Sequence, residues 1–248
     1  MARYFIDISF DGTLYAGWQK QKNALSVQQV LEEKLSIKLK HPVNLVGCGR
    51  TDAGVHARQF IAHIDTEVHI SDDEFIYKMN SFLPETIVIN DIYSVKPTAH
   101  ARYSAIKRTY SYYISTQKNP FQRYFFLEYT ALLALEEMNK AATALLAIED
   151  FTSFTKLHGG SKHARCTVYE SYWKREGSLL VYTITANRFT RNMVRSIVGT
   201  LLEVGKGNLN VSDFKKIVEA KNRNVAGESI DAKGLFLEKV EYPEYIRL

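Results

Sequence analysis

Residues 47–57 read Gly47-Cys48-Gly49-Arg50-Thr51-Asp52-Ala53-Gly54-Val55-His56-Ala57. Three glycines, an arginine and one carboxylate share this short stretch, and its flanks decide the fold class. Residues 43–46 before it read as a short strand, and Phe60, Ala62 and Ile64 beyond it alternate like a second one. The loop therefore joins strand to strand and sets Asp52 near the rim of a sheet. A phosphate-binding P-loop would need GxxxxGK followed by Ser or Thr, which is absent. The dinucleotide fingerprint GxGxxG fails too, because Asp52 stands where the third glycine should fall.

Working outward, Tyr4, Ile6, Ile8 and Phe10 share one face of a first strand that ends at the turn Asp11-Gly12. Ser26-x-x-Gln29 has the form of a capping box, and Val27, Val30, Leu31, Leu35 and Leu39 follow at helical spacing until Pro42. Ser71-x-x-Glu74 has the same form before Phe75, Ile76 and Met79. Strands are predicted over 87–95, 109–116, 168–173, 180–186 and 235–240, with the 168–186 pair turning at Gly177-Ser178. Met138, Ala141, Ala142 and Leu145 mark one further helix. Met193, Val194, Ile197, Val198 and Leu201 mark a long apolar one, and Phe214, Ile217 and Val218 a shorter one.

Strands mixed with helices, without strict alternation, indicate an α+β fold. Two related α+β lobes are expected, with mixed or antiparallel sheets flanked by helices, and a cleft between lobes is a usual place for a site. Residues 1–104 would form the lobe that carries the Asp52 loop, and residues 105–248 the second lobe.

The 248-residue chain is 46% hydrophobic, enough for a sizeable core. A net charge of +5 and a pI near 9.0 suit a polyanionic partner such as RNA. Two cysteines, Cys48 and Cys166, form no CxxC pair, which argues against a zinc ribbon or a disulfide framework and for a cytoplasmic protein. The first residues lack the core of a signal peptide, and no apolar run approaches the ~20 residues of a membrane helix.

A carboxylate meant to react must be ionised and partly stripped of water. Burial alone protonates it; a nearby arginine opposes this. Arg50 is close in sequence, and a basic residue from the other lobe would serve equally well. The structural alternative for Asp52 is an Asx-turn, in which its side chain binds only its own backbone. Cys48 with His56 makes a poor thiol-protease pair, since no orienting residue follows. His63 and His69 lack the spacing and third partner of a metal site. Among the tyrosines at 110, 112 and 113, one facing a cleft could stack on a base. The basic segment 156–165, with Lys162 and Arg165, reads either as a solvated loop or as a clamp on phosphates.

Together these landmarks resemble the tRNA pseudouridine synthases of the TruA type. Residues 49–57, GRTDAGVHA, look like that family's catalytic motif. Asp11-Gly12-x-x-Tyr15-x-Gly17-Trp18-Gln19, Ser26-Val27-Gln28, Asn80-x-x-Leu83-Pro84 and His100-Ala101-Arg102 are similar to its landmarks in the first half. In the second half, Asp150-Phe151-Thr152-Ser153-Phe154, Phe189-x-x-Asn192-Met193-Val194-Arg195 and Gly234-Leu235-x-Leu237 are similar in the same way, and in the family's order. The resemblance implies the pseudouridine synthase fold and an isomerase acting on uridines 38 to 40 of the tRNA anticodon stem-loop. It implies two lobes around a central basic cleft, with residues 105–248 completing the cleft and a dimer surface, a homodimer, and neither metal nor organic cofactor. Carried over residue by residue, it makes Asp52 the catalytic aspartate and Arg195 its ionic partner. Tyr110 would lie against the target base and Leu235 would wall its pocket. His100, Arg102 and Asn192 lie in matching motifs and are expected to bind substrate with Lys162 and Arg165. Arg50 and Arg58 either touch RNA or brace the loop.

Overall fold

The computed structural model describes residues 1–156 and 163–248. Its order of strands and helices is α+β, and it falls into two compact units: residues 1–107 with 236–248, and residues 108–235. The sequence expectation is a single division at 104.

In the first unit, β1 (Ala2–Phe10) lies between β4 (Ile87–Val95) and β3 (His56–Thr66), antiparallel to both. The short β2 (Val46–Gly47) pairs with β3 through Val46↔His63 and Gly47↔Ala62. The far end of the chain supplies β9 (Leu235–Glu241), which runs parallel to β3 through His56↔Phe236 and Ala57↔Leu237. This long-range pairing draws the terminal segment into the first unit. Ile6, Ile8 and Phe10 are buried on one face of β1, whereas Asp7 and Ser9 on the other are part-exposed. The helices of this unit are α1 (Val27–Leu39) and α2 (Asp73–Asn80), each with a buried apolar side. Each fully buried aliphatic side chain there contributes about 1.5–3 kcal/mol.

Helix α1 starts at Ser26, whose hydroxyl accepts from the Gln29 amide, and stops where Lys40 turns left-handed at φ 60°. Helix α2 departs from expectation. Its cap is Asp72, which accepts from the Phe75 amide at 2.7 Å, rather than Ser71. A charged cap with Asp73 and Glu74 in the first turn complements the helix dipole better than a neutral hydroxyl.

In the second unit, β5 (Lys107–Ser115) pairs antiparallel with β8 (Leu179–Ala186), and β8 with β7 (Val168–Glu176). The β7–β8 turn falls at Gly177-Ser178 as predicted, with Gly177 at φ 60°. A short β6 (Leu127–Glu128) lies parallel to the end of β5. Helices α3 (Leu135–Ala144), α4 (Met193–Gly205) and α5 (Val211–Glu219) complete the unit. Helix α4 is buried nearly all round and forms its core, as its continuous apolar sequence requires.

Candidate active site

The Asp52 loop spans the gap between β2 and β3, as expected. The Cys48 amide donates to the Ile61 carbonyl at 2.7 Å where the loop leaves β2. At its tip the Val55 amide donates to the Asp52 carbonyl at 3.2 Å, with Gly54 at φ 76° between them. The main chain closes this turn, so the turn does not need the Asp52 carboxylate as a cap. The residue is half-buried at the crest.

The segment 11–18 fixes the loop. A β-carbon on Gly12 would sit 2.0 Å from the Val55 carbonyl oxygen, and one on Gly17 would sit 2.2 Å from that of Thr51. Only glycine permits such approach. The Trp18 amide donates to the buried Thr51 hydroxyl at 3.0 Å, and the Gly54 amide to the Tyr15 carbonyl at 3.3 Å. Trp18 stacks on Phe60 with ring centres 4.0 Å apart, and Gly47 leaves room for that stack. Behind the segment, the amides of Val27 and Gln28 at the start of α1 donate to the carbonyls of Gly17 and Trp18. The buried Gln28 side chain then accepts from the Lys20 amide and donates to the Leu45 carbonyl and to Glu32. The start of α1 thus holds segment 11–18, and that segment holds Asp52. Gly49 is the exception among the loop's glycines. Nothing lies within 4 Å of a β-carbon placed there, so it does not mark a tight contact.

His56 opens β3 and is buried against Phe236, with rings stacked at 4.5 Å. Its Nδ1 lies 3.1 Å from both the Gly12 amide and the Asp11 carboxylate. With the amide donating, Nδ1 is an unprotonated acceptor, and Asp11 is satisfied by the Thr13 amide and hydroxyl. His56 thus ties the start of β3 to segment 11–12. Arg58 is exposed, pairs with Glu238 at 3.2 Å and lies over Phe236, so it braces β3 against β9. Arg50 is exposed.

His100 and Arg102 sit on the turn 99–104 of the same unit. His100 Nδ1 accepts from the amides of Arg102 and Tyr103 at 3.1 and 3.3 Å. Below it, buried His63 accepts from the Ala101 amide at 3.1 Å. Burial, helped by the charges of Arg3 and His100, pushes the His63 pKa down to about 4, so the ring stays neutral and able to accept. Burial lowers His100 as well, with Arg3 and Arg102 adding to the effect.

In the second unit Tyr110 lies on β5, half-exposed, with its ring edge-on to Phe189 at 5.1 Å. Tyr112 is core: it is buried and donates its hydroxyl to the Asp231 carbonyl. Arg195 extends from α4 and donates through Nε to the Ile230 carbonyl at 2.6 Å, while the Ile230 amide returns to the Arg195 carbonyl. Asn192, left-handed at φ 66°, donates to Ser229, which also accepts from Arg223 at 2.9 Å. Gly199 allows the Glu228 carbonyl oxygen within 1.9 Å of where a β-carbon would stand. The Gly227 amide donates to Thr200 Oγ1 at 3.0 Å. Residues 227–230 are thus strapped along α4, and the chain turns from there into buried Leu235.

Arg165 is exposed beside the bridge Asp150↔Arg165, and Lys162 lies outside the described residues. Sequence reasoning gave no role to Thr51, Gly199, Ser229 or Glu32. Gly12 and Gly17 were visible as motif residues, but not the carbonyls they admit. Among the described residues no group of three or more His, Cys, Asp or Glu side chains could hold a metal ion, and no helix is long and apolar enough to cross a membrane. Burial pushes the Cys166 thiol up to about 12.

A family described as tRNA pseudouridine synthase matches residues 141–243. Among relatives called tRNA pseudouridine synthase A, that of Parabacteroides distasonis is 48% identical over 98% of this chain and 97% of its own. That of Bacteroides fragilis is 48% identical over 98% of each chain, and that of Porphyromonas gingivalis 47% over 98% of each. Likeness at this level over nearly the whole length, the Asp52 loop and the Arg195 helix included, is not that of one shared segment. The chain belongs to the tRNA pseudouridine synthase family, the isomerases that turn uridine into pseudouridine in tRNA.

Proposed function

We propose that this chain isomerises uridines 38 to 40 of the tRNA anticodon stem-loop, with Asp52 as the reacting carboxylate. The observation that carries this reading is the construction around Asp52. Two glycines, a buried threonine hydroxyl and the start of α1 are spent on fixing one half-buried acid at the crest of a turn that the backbone already closes. A pure RNA binder has no use for a carboxylate placed so firmly.

The reaction breaks the bond from N1 to C1′, turns the uracil and joins its C5 to C1′. No atoms are gained or lost apart from the exchange of the C5 proton. The detached uracil must be retained and water kept out. Asp52 can attack C1′, take the C2′ proton or add to C6, and each route needs one ionised carboxylate in a fixed place. Arg195 supplies the balancing positive charge. A uridine within a stem must first flip out, at a cost of a few kcal/mol. Stacking on Tyr110 offsets about 1–3 kcal/mol of this. Leu235 walls the base, and Arg50, His100, Arg102, Asn192, Lys162 and Arg165 engage the RNA. The protein works as a cytoplasmic homodimer, which doubles the basic surface facing one tRNA.

The test uses unmodified tRNA whose uridines carry tritium at C5. The protein releases the label, and Asp52→Asn lowers release more than about a thousandfold while still binding tRNA. Undiminished release by Asp52→Asn removes the residue from the chemistry. A wild-type protein that binds tRNA without releasing tritium is a binder, and one that liberates free uracil is a hydrolase.

A further inference from the structure

Tyr103 holds 76% of its surface in solvent, on a turn anchored from distant parts of the chain. Arg3 donates to the Ala99 carbonyl at 2.8 Å, His63 accepts from the Ala101 amide at 3.1 Å, and the Tyr242 hydroxyl donates to the Ala101 carbonyl at 2.5 Å. These anchors reach 96, 38 and 141 residues along the sequence. Inside the turn, His100 Nδ1 accepts from the Tyr103 amide, and the Ser104 amide donates to the His100 carbonyl at 2.9 Å. A surface turn with no task needs no such bracing, because loops are ordinarily the mobile part of a fold. An exposed ring adds nothing to the core either.

What the bracing does provide is an aromatic face held ready. The Tyr103 ring lies 4.4 Å from the His100 ring and 5.6 Å from the Arg102 guanidinium. Other cation–ring pairs occur in the same unit. Lys96 lies 5.5 Å over Tyr245, itself 71% exposed, and Arg247 lies 3.9 Å over Tyr93. Rings interleaved with cations are how proteins hold single-stranded nucleic acid, one base stacking on each ring. Fixing the ring beforehand removes the ordering cost of binding.

We propose that Tyr103, with His100 and Arg102 beside it, is a stacking platform for an unpaired nucleobase of the tRNA, distinct from the uridine that reacts. This rests on the tRNA-modifying reading above. Tyr103→Ala raises the Kd for unmodified tRNA about tenfold. The salt dependence of Kd keeps its slope, because no charge is removed. Tyr103→Trp binds like the parent. Its emission is quenched by tRNA, a clean signal since Trp18 and Trp173 are 1% and 4% exposed.

The platform is refuted if Tyr103→Ala or Tyr103→Leu binds tRNA as tightly as the parent, or if tRNA leaves the Tyr103→Trp emission unmoved. It is equally refuted if Tyr103→Ala changes the sedimentation of the free protein, for the turn is then a subunit contact. Should Tyr103→Ala lower the melting temperature, the Tyr103→Trp quenching decides alone. Tritium release by the parent separates the two readings. Without release the catalytic reading fails; with release and an unmoved Kd, only the platform does.

Discussion

Gly17 faces Thr51 so closely that a β-carbon on the glycine would stand 2.2 Å from the threonine carbonyl oxygen. Gly17 also has φ 91°, where L-residues are strained. Gly17→Ala therefore forces the Asp52 loop to move. The expected cost is more than about 2 kcal/mol in urea unfolding, with tritium release falling further than stability alone explains. Gly49→Ala is the control: with nothing within 4 Å, its stability stays within about 0.5 kcal/mol of the parent. Equal tolerance of both changes would show that segment 11–18 does not set the loop.

Arg195 is more than a charge. Its Nε bond to the Ile230 carbonyl helps hold the strap along α4. Arg195→Lys keeps the charge and loses the planar fork. A destabilisation of about 1–3 kcal/mol is expected by chemical denaturation, together with loss of activity. A variant as stable as the parent would mean that Asn192–Ser229 and Gly227–Thr200 hold the strap without it.

His63 makes stability depend on pH. Its ring takes a proton near pH 6.5 in the unfolded chain but only near 4 in the folded one. As pH falls from about 6.5 to 4 the unfolded state binds the proton first, so stability is lost across that window and levels off below it. The loss is about 3 kcal/mol at most. His100, lowered in the same direction, adds to it. Urea midpoints measured between pH 7 and 4.5 should fall for the parent and fall less for His63→Gln. Parallel slopes would show that the ring protonates in place.

The local grammar of the chain was legible because short-range physics sets it. Alternation at Tyr4, Ile6 and Ile8 gave β1, and Ser26 capped α1 where its spacing placed it. The start of α2 slipped by one residue, since Ser71 and Asp72 are adjacent acceptors and the carboxylate prevails. The pairing of His56 with Phe236 was not legible, because no local period reports which strands meet across the length of a chain. At the candidate site, Asp52 stood out by its glycine surroundings, yet Gly12 and Gly17 revealed their purpose only once Val55 and Thr51 were seen pressed against them. The His100 motif was legible as a landmark, but not that its Nδ1 takes the amides of its own turn.

The parallel union of β3 with β9 carries a lesson for biosynthesis. A ribosome delivers Asp52 early, but the strand beside His56 and Ala57 emerges only after residue 235. Until then β3 has β1 and β2 beside it, but His56 and Ala57, just past the acid, lack their parallel partner. A translation product cut short before that point lacks the strand that pairs with His56 and Ala57, so the exit of the Asp52 loop is held on one side fewer.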